Sequence, residues 1–173
     1  NKLKLKYNLG NTLKINIKKK WDISGFDAVI GNPPYQLSDG GFGISASPIY
    51  QKFVQQAKKL NPKYISMIIP SRWFAGGRGL DDFRADMLQD SRIRKIIDFH
   101  NASDCFPGVE IKGGVCYFLW ERDYNGKTTV LTHENGNLKS KSERNLLEKD
   151  AETFIRYNEA ISILHKVQAL KES

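Results

Sequence analysis

Hydrophobic and polar positions along the chain predict strands that are separated by helices. Residues 2–9 alternate Lys or Asn with Leu or Tyr for several steps, which predicts an edge-like strand with one buried face. Short apolar runs bounded by glycine, proline or polar residues are typical of buried strands. Such runs predict strands at residues 28–30, 64–69, 93–99, 114–120 and 128–132.

Helical periodicity occupies the intervals between several of these strands. Residues 48–60 repeat apolar side chains every three or four positions, with Ser47 as the predicted N-cap. The same spacing predicts helices over residues 80–88 and 154–170. The polar segment 134–150 is predicted to be a loop.

The order of these elements indicates the fold class. Strands alternate with helices through the middle of the chain, which predicts right-handed crossovers and a mostly parallel sheet. No helix separates the last two strands, which predicts an antiparallel strand at the end. We therefore expect an α/β fold over residues 1–133, followed by a linker and helix over residues 134–173.

Composition narrows the range of functions. The 173 residues suffice for one domain, and 27 Lys and Arg against 19 Asp and Glu give a formal charge of +8. This balance suits a polyanion such as nucleic acid, although many soluble domains are moderately basic. No apolar run approaches the ~20 residues that span a bilayer. Cys105 and Cys116 do not form a disulfide framework or metal-ligand spacing, so we expect reduced thiols, a cytoplasmic location, and neither a metal nor a membrane partner.

The turn after the strand at 28–30 is the most unusual local feature of the sequence. Gly31 permits a sharp exit from the strand, and Pro33 and Pro34 each fix φ and remove an N–H donor. Asn32 precedes a proline and is therefore pushed into an extended conformation. The sequence thus predicts a stiff loop at the carboxyl end of a strand, where open α/β sheets bind ligands.

This turn suits the activation of a planar amino group on a heteroaromatic ring. The nitrogen lone pair of such a group is delocalised, so it is a poor nucleophile. The side-chain oxygen of Asn32 and the carbonyl oxygen of Pro33 can accept its two N–H bonds and free the lone pair for attack. Tyr35 offers an aromatic face on which the ring can stack.

A second loop, after the strand at 64–69, combines cationic and aromatic residues. Arg72, Trp73 and Arg78 lie in this glycine-containing segment. Arginine beside an aromatic residue suits a phosphate backbone or unstacked bases, so these three residues are candidate DNA contacts. The alternative is a surface loop whose aromatic residues cap the core.

The segment Phe26–Tyr35, with its Asn-Pro-Pro-Tyr ending, resembles the catalytic motif of S-adenosylmethionine-dependent amino-methyltransferases. It is most similar to the N6-adenine DNA methyltransferases of restriction-modification systems. The resemblance implies a Rossmann-like methyltransferase fold, S-adenosylmethionine as cofactor, and an adenine flipped out of double-stranded DNA. It makes residues 1–133 the catalytic half of a methyltransferase domain and assigns the catalytic role to Asn32, Pro33, Pro34 and Tyr35.

The resemblance extends through most of the chain and implies further roles. Phe106, in Phe-Pro-Gly-Val, corresponds to an aromatic residue that stacks on the other side of the target base, or else it anchors its loop. Asn11 and Phe53 occupy positions that contact the cofactor in the family, although the family often has Asp at the first, and a core role is the alternative for Phe53.

One part of the family pattern is missing. The family's glycine-rich cofactor loop has no counterpart before Asn32. The chain is therefore expected to be a fragment without the first strands, or to have a permuted order, and not to bind the cofactor alone. Its C-terminal helix would lead to a missing target-recognition domain, and a restriction nuclease would be fused or separate. The alternatives are a protein-glutamine or RNA N6-adenine methyltransferase, or a non-catalytic nucleic-acid-binding fragment.

Overall fold

The computed structural model describes residues 10–37 and 47–171 of the chain. The helices in these ranges are α1 (Ile17–Trp21), α2 (Tyr50–Lys59), α3 (Asp81–Gln89) and α4 (Asn158–Lys171). The strands are β1 (Ala28–Gly31), β2 (Tyr64–Pro70), β3 (Ile93–Phe99), β4 (Val115–Glu121), β5 (Thr128–Glu134) and β6 (Asn137–Arg144). The strand predicted at residues 2–9 lies outside the described residues. A helix long and apolar enough to cross a membrane is absent from the described part of the chain.

The six strands form one mixed sheet in the order β1-β2-β4-β3-β5-β6. β1, β2, β3 and β5 run in one direction, which confirms the predicted α/β fold with mostly parallel strands. β4 lies between β2 and β3 and is antiparallel to both. The carboxyl ends of β1, β2 and β3 therefore meet at one edge of the sheet, beside the start of β4.

The main hydrophobic core lies between the sheet and the helices α2 and α3. Val54 of α2 and Met87 of α3 are fully buried against Ile65 and Ile69 of β2 and the neighbouring strands. The apolar residues of α3 recur at three- and four-residue spacing, so one face of the helix is buried, as predicted.

β1 has the predicted position but not the predicted burial. Ile30 is 80% exposed, although the sequence predicts a buried strand. Among the described residues β1 pairs only with β2, so it forms the edge of the sheet. An apolar run alone does not distinguish a central strand from an edge strand.

Two helices begin later than predicted. α2 starts at Tyr50 rather than after a Ser47 cap, because Pro48 forms an isolated β-bridge with Gln36. α4 starts at Asn158, and Phe154 precedes it as a buried core residue rather than as part of the helix. In both cases the apolar pattern extends into residues that pack without being helical.

The prediction of a loop at residues 134–150 is wrong, because β6 lies in this range and pairs with β5 in antiparallel register. Asn135 and Gly136 form the two-residue turn between them and both have positive φ, at 53° and 73°. Asn-Gly is the preferred pair for such hairpin turns. β6 is polar because most of its residues are exposed, so its sequence lacks apolar alternation. The division of the chain at residue 133 stays a prediction.

Candidate active site

The Asn-Pro-Pro-Tyr turn leaves the sheet at the carboxyl end of β1. Asn32 is exposed, Pro33 is buried and Tyr35 is half-buried. The turn is fixed in front of α2, because the Tyr35 carbonyl oxygen accepts a 3.1 Å hydrogen bond from the Ile49 N–H. This arrangement holds the backbone while leaving the Asn32 amide accessible to a ligand.

Tyr35 and Phe106, the two predicted base-stacking residues, pack against the same small hydrophobic cluster. Its buried members are Ile68, Ala102 and Val115. Phe106 follows a short 3₁₀ turn after β3, and its N–H donates to the Ala102 carbonyl oxygen at 2.8 Å. The fold thus brings together two aromatic residues that are far apart in sequence. Phe106 also fixes its loop, so the alternative role stays open.

The Tyr35 hydroxyl is buried and has no hydrogen-bond partner of normal geometry among the described residues. The pKa of Tyr35 is raised to about 12, chiefly by burial and in smaller part by the neighbouring Cys105, Cys116 and Tyr117. The Asn32 side chain lies close enough to lower this pKa slightly. The hydroxyl therefore stays neutral at physiological pH, close to the Asn32 amide.

A cleft of about 260 Å³ opens at this edge of the sheet, and Tyr35 forms part of its wall. The other residues that line it are Gln36, Pro48, Tyr50, Pro70, Arg72, Gly77, Arg78, Leu80, Glu110, Ile111 and Lys112. They come from the Asn-Pro-Pro-Tyr turn, the start of α2, the loop after β2 and the loop before β4. The cleft therefore lies where the sheet topology places the strand ends together.

Among the described residues that line the cleft, cationic side chains predominate. Arg72, Arg78 and Lys112 line it, and Glu110 is the acidic residue among the lining side chains. All four residues are exposed. Two of the three predicted DNA contacts, Arg72 and Arg78, are thus in the same cleft as Tyr35. This charge suits the phosphates of a nucleic acid strand.

Trp73, the third predicted DNA contact, is not available to DNA in this structure. Its side chain is fully buried and packs edge-to-face on Phe74 and Phe83, with ring centroids 4.7 and 5.8 Å away. The 3₁₀ turn Ser71–Phe74 directs Trp73 into the core while Arg72 stays exposed. For Trp73, the alternative of an aromatic residue that caps the core is correct.

Arg84 of α3 fastens the loop that carries Arg72 and Arg78. Its Nε donates to the Trp73 carbonyl oxygen at 2.9 Å, and its Nη2 donates to the Gly76 carbonyl oxygen at 3.0 Å. Hydrogen bonds from a charged donor are stronger than neutral ones. The cationic wall of the cleft is therefore supported by the helix that follows it.

The two predicted cofactor residues lie at or next to a second groove, beside β1. Phe53 lines an apolar groove of about 310 Å³ beside β1, together with Trp21, Phe26 and Ile30. Thr12 also lines this groove, while the adjacent Asn11 is exposed and accepts a hydrogen bond from the Leu13 N–H at 3.0 Å. Both residues are thus near the groove, and their roles toward a cofactor stay predictions.

Tyr50, Glu110 and Lys112 belong to the cleft but were not predicted from the sequence. Glu110 and Lys112 lie in the charged segment between Phe-Pro-Gly-Val and the strongest strand of the chain. That position, next to a predicted base-stacking residue, is the signal that could have indicated them. Tyr50 has the spacing of a core residue and carries no comparable signal.

Comparison with known proteins identifies the family. The family model described as Eco57I restriction-modification methylase matches residues 2–106, which is more than half of the chain. The chain belongs to the Eco57I restriction-modification methylase family. This membership confirms the resemblance that the Asn-Pro-Pro-Tyr motif indicates.

A relative of this Eco57I-family chain occurs in Mycoplasma pneumoniae. It is described as an uncharacterized adenine-specific methylase and is 43% identical over 118 residues, which are 66% of this chain and 28% of the relative. The chain therefore matches less than a third of that relative's length.

Two solved structures share the fold of this Eco57I-family chain. A modification subunit of a putative type I restriction enzyme from Vibrio vulnificus has a TM-score of 0.51 and 13% identity, over 92% of this chain and 34% of the subunit. The DrdV–DNA complex has a TM-score of 0.50 and 13% identity, over 78% of this chain and 18% of that one. These likenesses confirm the methyltransferase fold.

Proposed function

We propose that this chain forms the target-base side of a DNA methyltransferase that moves a methyl group from S-adenosylmethionine to the N6 amino group of adenine. The observation that carries the proposal is the position of Tyr35. Its side chain lies close to Asn32, packs against the same hydrophobic cluster as Phe106 and forms part of the wall of the cationic cleft. Membership of the Eco57I family supports the reaction class.

Asn32 and the prolines supply the chemistry at the amino group. The Asn32 side-chain oxygen and the Pro33 carbonyl oxygen accept the two N–H bonds of the adenine amino group. These bonds favour a more tetrahedral nitrogen with its lone pair free on one face. Pro33 and Pro34 hold the acceptors in place, so fixed dipoles and orientation supply most of the rate. The methylated nitrogen is acidic and loses its proton to water or a carbonyl oxygen.

The aromatic cluster and the cleft hold the DNA. Adenine must leave the duplex to reach Asn32, at a cost of a few kcal/mol. Stacking on Tyr35 and Phe106 offsets this cost by about 1–3 kcal/mol per base–ring contact. Arg72, Arg78 and Lys112 lie where they can contact phosphates of the same strand.

The groove beside β1 is the place for the methyl donor. Its aromatic and apolar lining, including Phe53, suits the flat nucleoside part of S-adenosylmethionine, with the Asn11 amide nearby. S-adenosylmethionine supplies an electrophilic methyl group when bound. On this proposal Phe53 packs against the donor's ring, and Asn32 presents the amino nitrogen to the methyl carbon.

The substrate and partners of the whole protein are part of the same proposal. We propose double-stranded DNA as the substrate, with residues 134–173 leading to a target-recognition domain and a restriction nuclease fused or separate. Protein-glutamine and RNA adenine methylation are the alternatives, together with a non-catalytic nucleic-acid-binding role. No contact among the described residues specifically favours one of these alternatives.

Replacing Asn32 with alanine tests the proposal in the full-length protein. The Asn32→Ala substitution should lower methylation of duplex DNA by roughly 10²–10³-fold, because an acceptor for the amino group is lost. DNA affinity should stay within about twofold, since the phosphate contacts are kept. Transfer of labelled methyl groups to duplex DNA, RNA and a glutamine-containing release-factor peptide measures the activity.

Asn125→Ala is the matched control, because Asn125 is an exposed asparagine in the β4–β5 loop at the opposite edge of the sheet. It should leave methylation unchanged. Full activity of Asn32→Ala would exclude the catalytic role of the amide. Methyl transfer to the peptide alone would identify a glutamine methyltransferase instead.

A further inference from the structure

A buried carboxylate behind the cleft joins three segments of the chain. Asp98, near the end of β3, is fully buried. Its Oδ1 accepts a hydrogen bond from the Ser71 hydroxyl at 2.9 Å and another from Arg156 Nη2 at 2.8 Å. Its Oδ2 accepts from Arg156 Nε at 2.5 Å, and His100 Nε2 lies 3.2 Å away. The pair with Arg156 is thus bidentate, which fixes geometry as well as charge.

Arg156 belongs to the segment that leads into α4, and this segment also contacts the loop after β2. The Phe154 N–H donates to the Phe74 carbonyl oxygen at 2.9 Å, and the two rings lie 4.5 Å apart. The Arg156 guanidinium lies over the Phe74 ring at 5.7 Å. Ser71 and Phe74 are therefore both held from the α4 side.

Arg72 lies between these two anchored residues. It is the exposed member of the 3₁₀ turn Ser71–Phe74 and lines the cationic cleft. The turn is held at its first residue through Asp98 and at its last residue through Phe154. The backbone that aims Arg72 is consequently fixed by residues outside the cleft.

We propose that Asp98 and Arg156 are positioning residues, which hold Arg72 at the cleft and make its position depend on the segment that precedes α4. The proposal rests on the DNA-binding role proposed for the cleft. Neither residue lines the cleft itself. A displacement of α4 would pull on Arg156, shift Ser71 through Asp98 and move the Arg72 guanidinium away from its phosphate.

A double-substitution cycle in the full-length protein tests this coupling. Loss of one phosphate contact weakens DNA binding and reduces the slope of log affinity against log salt by about 1. Arg72→Ala should show this change. Arg156→Ala should show the same change, although Arg156 contacts no phosphate on this proposal. The double variant Arg72→Ala/Arg156→Ala should lose about 1 in the slope of log affinity against log salt. A loss of about 2 is not expected, because both changes remove the same phosphate contact.

Arg122→Ala is the control, since Arg122 forms an exposed ion pair with Asp123 in the β4–β5 loop, at the opposite edge of the sheet. It should leave the salt slope unchanged. Arg156→Lys, which keeps the charge but not the bidentate geometry, should restore part of the slope. If Arg156→Ala does not fold, Arg156→Lys and Ser71→Ala are measured in its place, and each should lose part of the slope.

The possible results distinguish the positioning role of Asp98 and Arg156 from the DNA-binding role of the cleft. If Arg72→Ala loses slope while Arg156→Ala loses only thermal stability, the positioning role is wrong and the cleft keeps its DNA role. Additive losses in the double variant would mean that Arg156 contacts DNA directly, which also overturns positioning. If Arg156→Lys and Ser71→Ala both keep the salt slope of the native protein, the positioning role is also wrong. An unchanged slope in Arg72→Ala would overturn the phosphate contact of Arg72 and with it the positioning role, while the methyltransferase proposal is tested separately by Asn32→Ala.

Discussion

Burial raises the pKa of two ionisable side chains near the site, Tyr35 and Cys116. Burial raises the pKa of Tyr35 to about 12, so the ring that faces the cleft stays uncharged at physiological pH. A neutral ring can stack on an adenine without placing a negative charge beside DNA phosphates. Cys116 of β4 is a neighbouring case, because complete burial raises the pKa of its thiol to about 12.

The raised pKa of the Cys116 thiol predicts that the folded protein loses stability at alkaline pH. Its pKa is raised from 9.0 in the unfolded chain to about 12, so the folded state disfavours ionisation. Stability is therefore fully present below about pH 9 and is lost as pH rises toward about 12, at roughly 1.4 kcal/mol per pH unit. The free energy of unfolding should be roughly 2 kcal/mol lower at about pH 10.5 than at about pH 7 from this group alone.

Urea unfolding of native and Cys116→Ala protein at both pH values measures this contribution. The variant should lose less stability on going to the higher pH, and Cys105→Ala, which removes the half-buried cysteine, is the comparison. An equal alkaline loss in native protein and Cys116→Ala would show that this thiol does not set the limit.

The elements around the cleft are predictable where local sequence and burial agree. β2, β3 and β4 combine apolar runs with central positions in the sheet, and α3 has one buried face. β6 was missed because an exposed edge strand needs no apolar alternation, although Asn135-Gly136 in its turn was a usable signal. The start of α2 was misplaced because a bridge at Pro48 competes with helix capping, which is a tertiary effect.

The glycine pair that leads into β4 gives a prediction at this scale. Gly114 has a φ of +78°, and a Cβ there would lie 2.0 Å from the Phe99 carbonyl oxygen and 2.7 Å from that of His100. Gly114→Ala should lower the free energy of unfolding by roughly 3–5 kcal/mol, because backbone atoms block the methyl group. Chemical denaturation followed by circular dichroism measures the change.

Gly113 supplies the matched control for that substitution. It also has a positive φ, at +91°, but no atom of the described residues lies within 4 Å of a Cβ built there. Gly113→Ala should cost only about 1–2 kcal/mol, which is the penalty for a left-handed alanine. Equal losses for the two variants would mean that backbone conformation and not close approach determines the cost.

The whole molecule shows which part of the site a sequence can indicate. Asn32, Tyr35 and Arg72 were predictable because each follows a strand that ends at the same edge of the sheet. The charged segment of Lys112, next to Phe106, was a usable signal, but its place at the same cleft depends on the insertion of β4 between β2 and β3, a pairing that sequence order does not reveal. Trp73 was misjudged since a tight turn places adjacent residues on opposite sides of the backbone.

The difference between the cleft at Tyr35 and the groove beside β1 predicts whether residues 1–173 bind the methyl donor. Tyr35, one of the proposed target-base residues, lines a formed cleft, whereas the groove beside β1 is open and Ile30 in its wall is 80% exposed. The resemblance to the family also implies a glycine-rich loop for the donor, and residues 1–31 contain no such pattern. Residues 1–173 should therefore show no measurable binding of S-adenosylmethionine by isothermal titration calorimetry. The full-length protein, titrated in parallel as the control, should bind it. Micromolar binding by residues 1–173 would mean that the groove with Phe53 and Asn11 suffices for the donor.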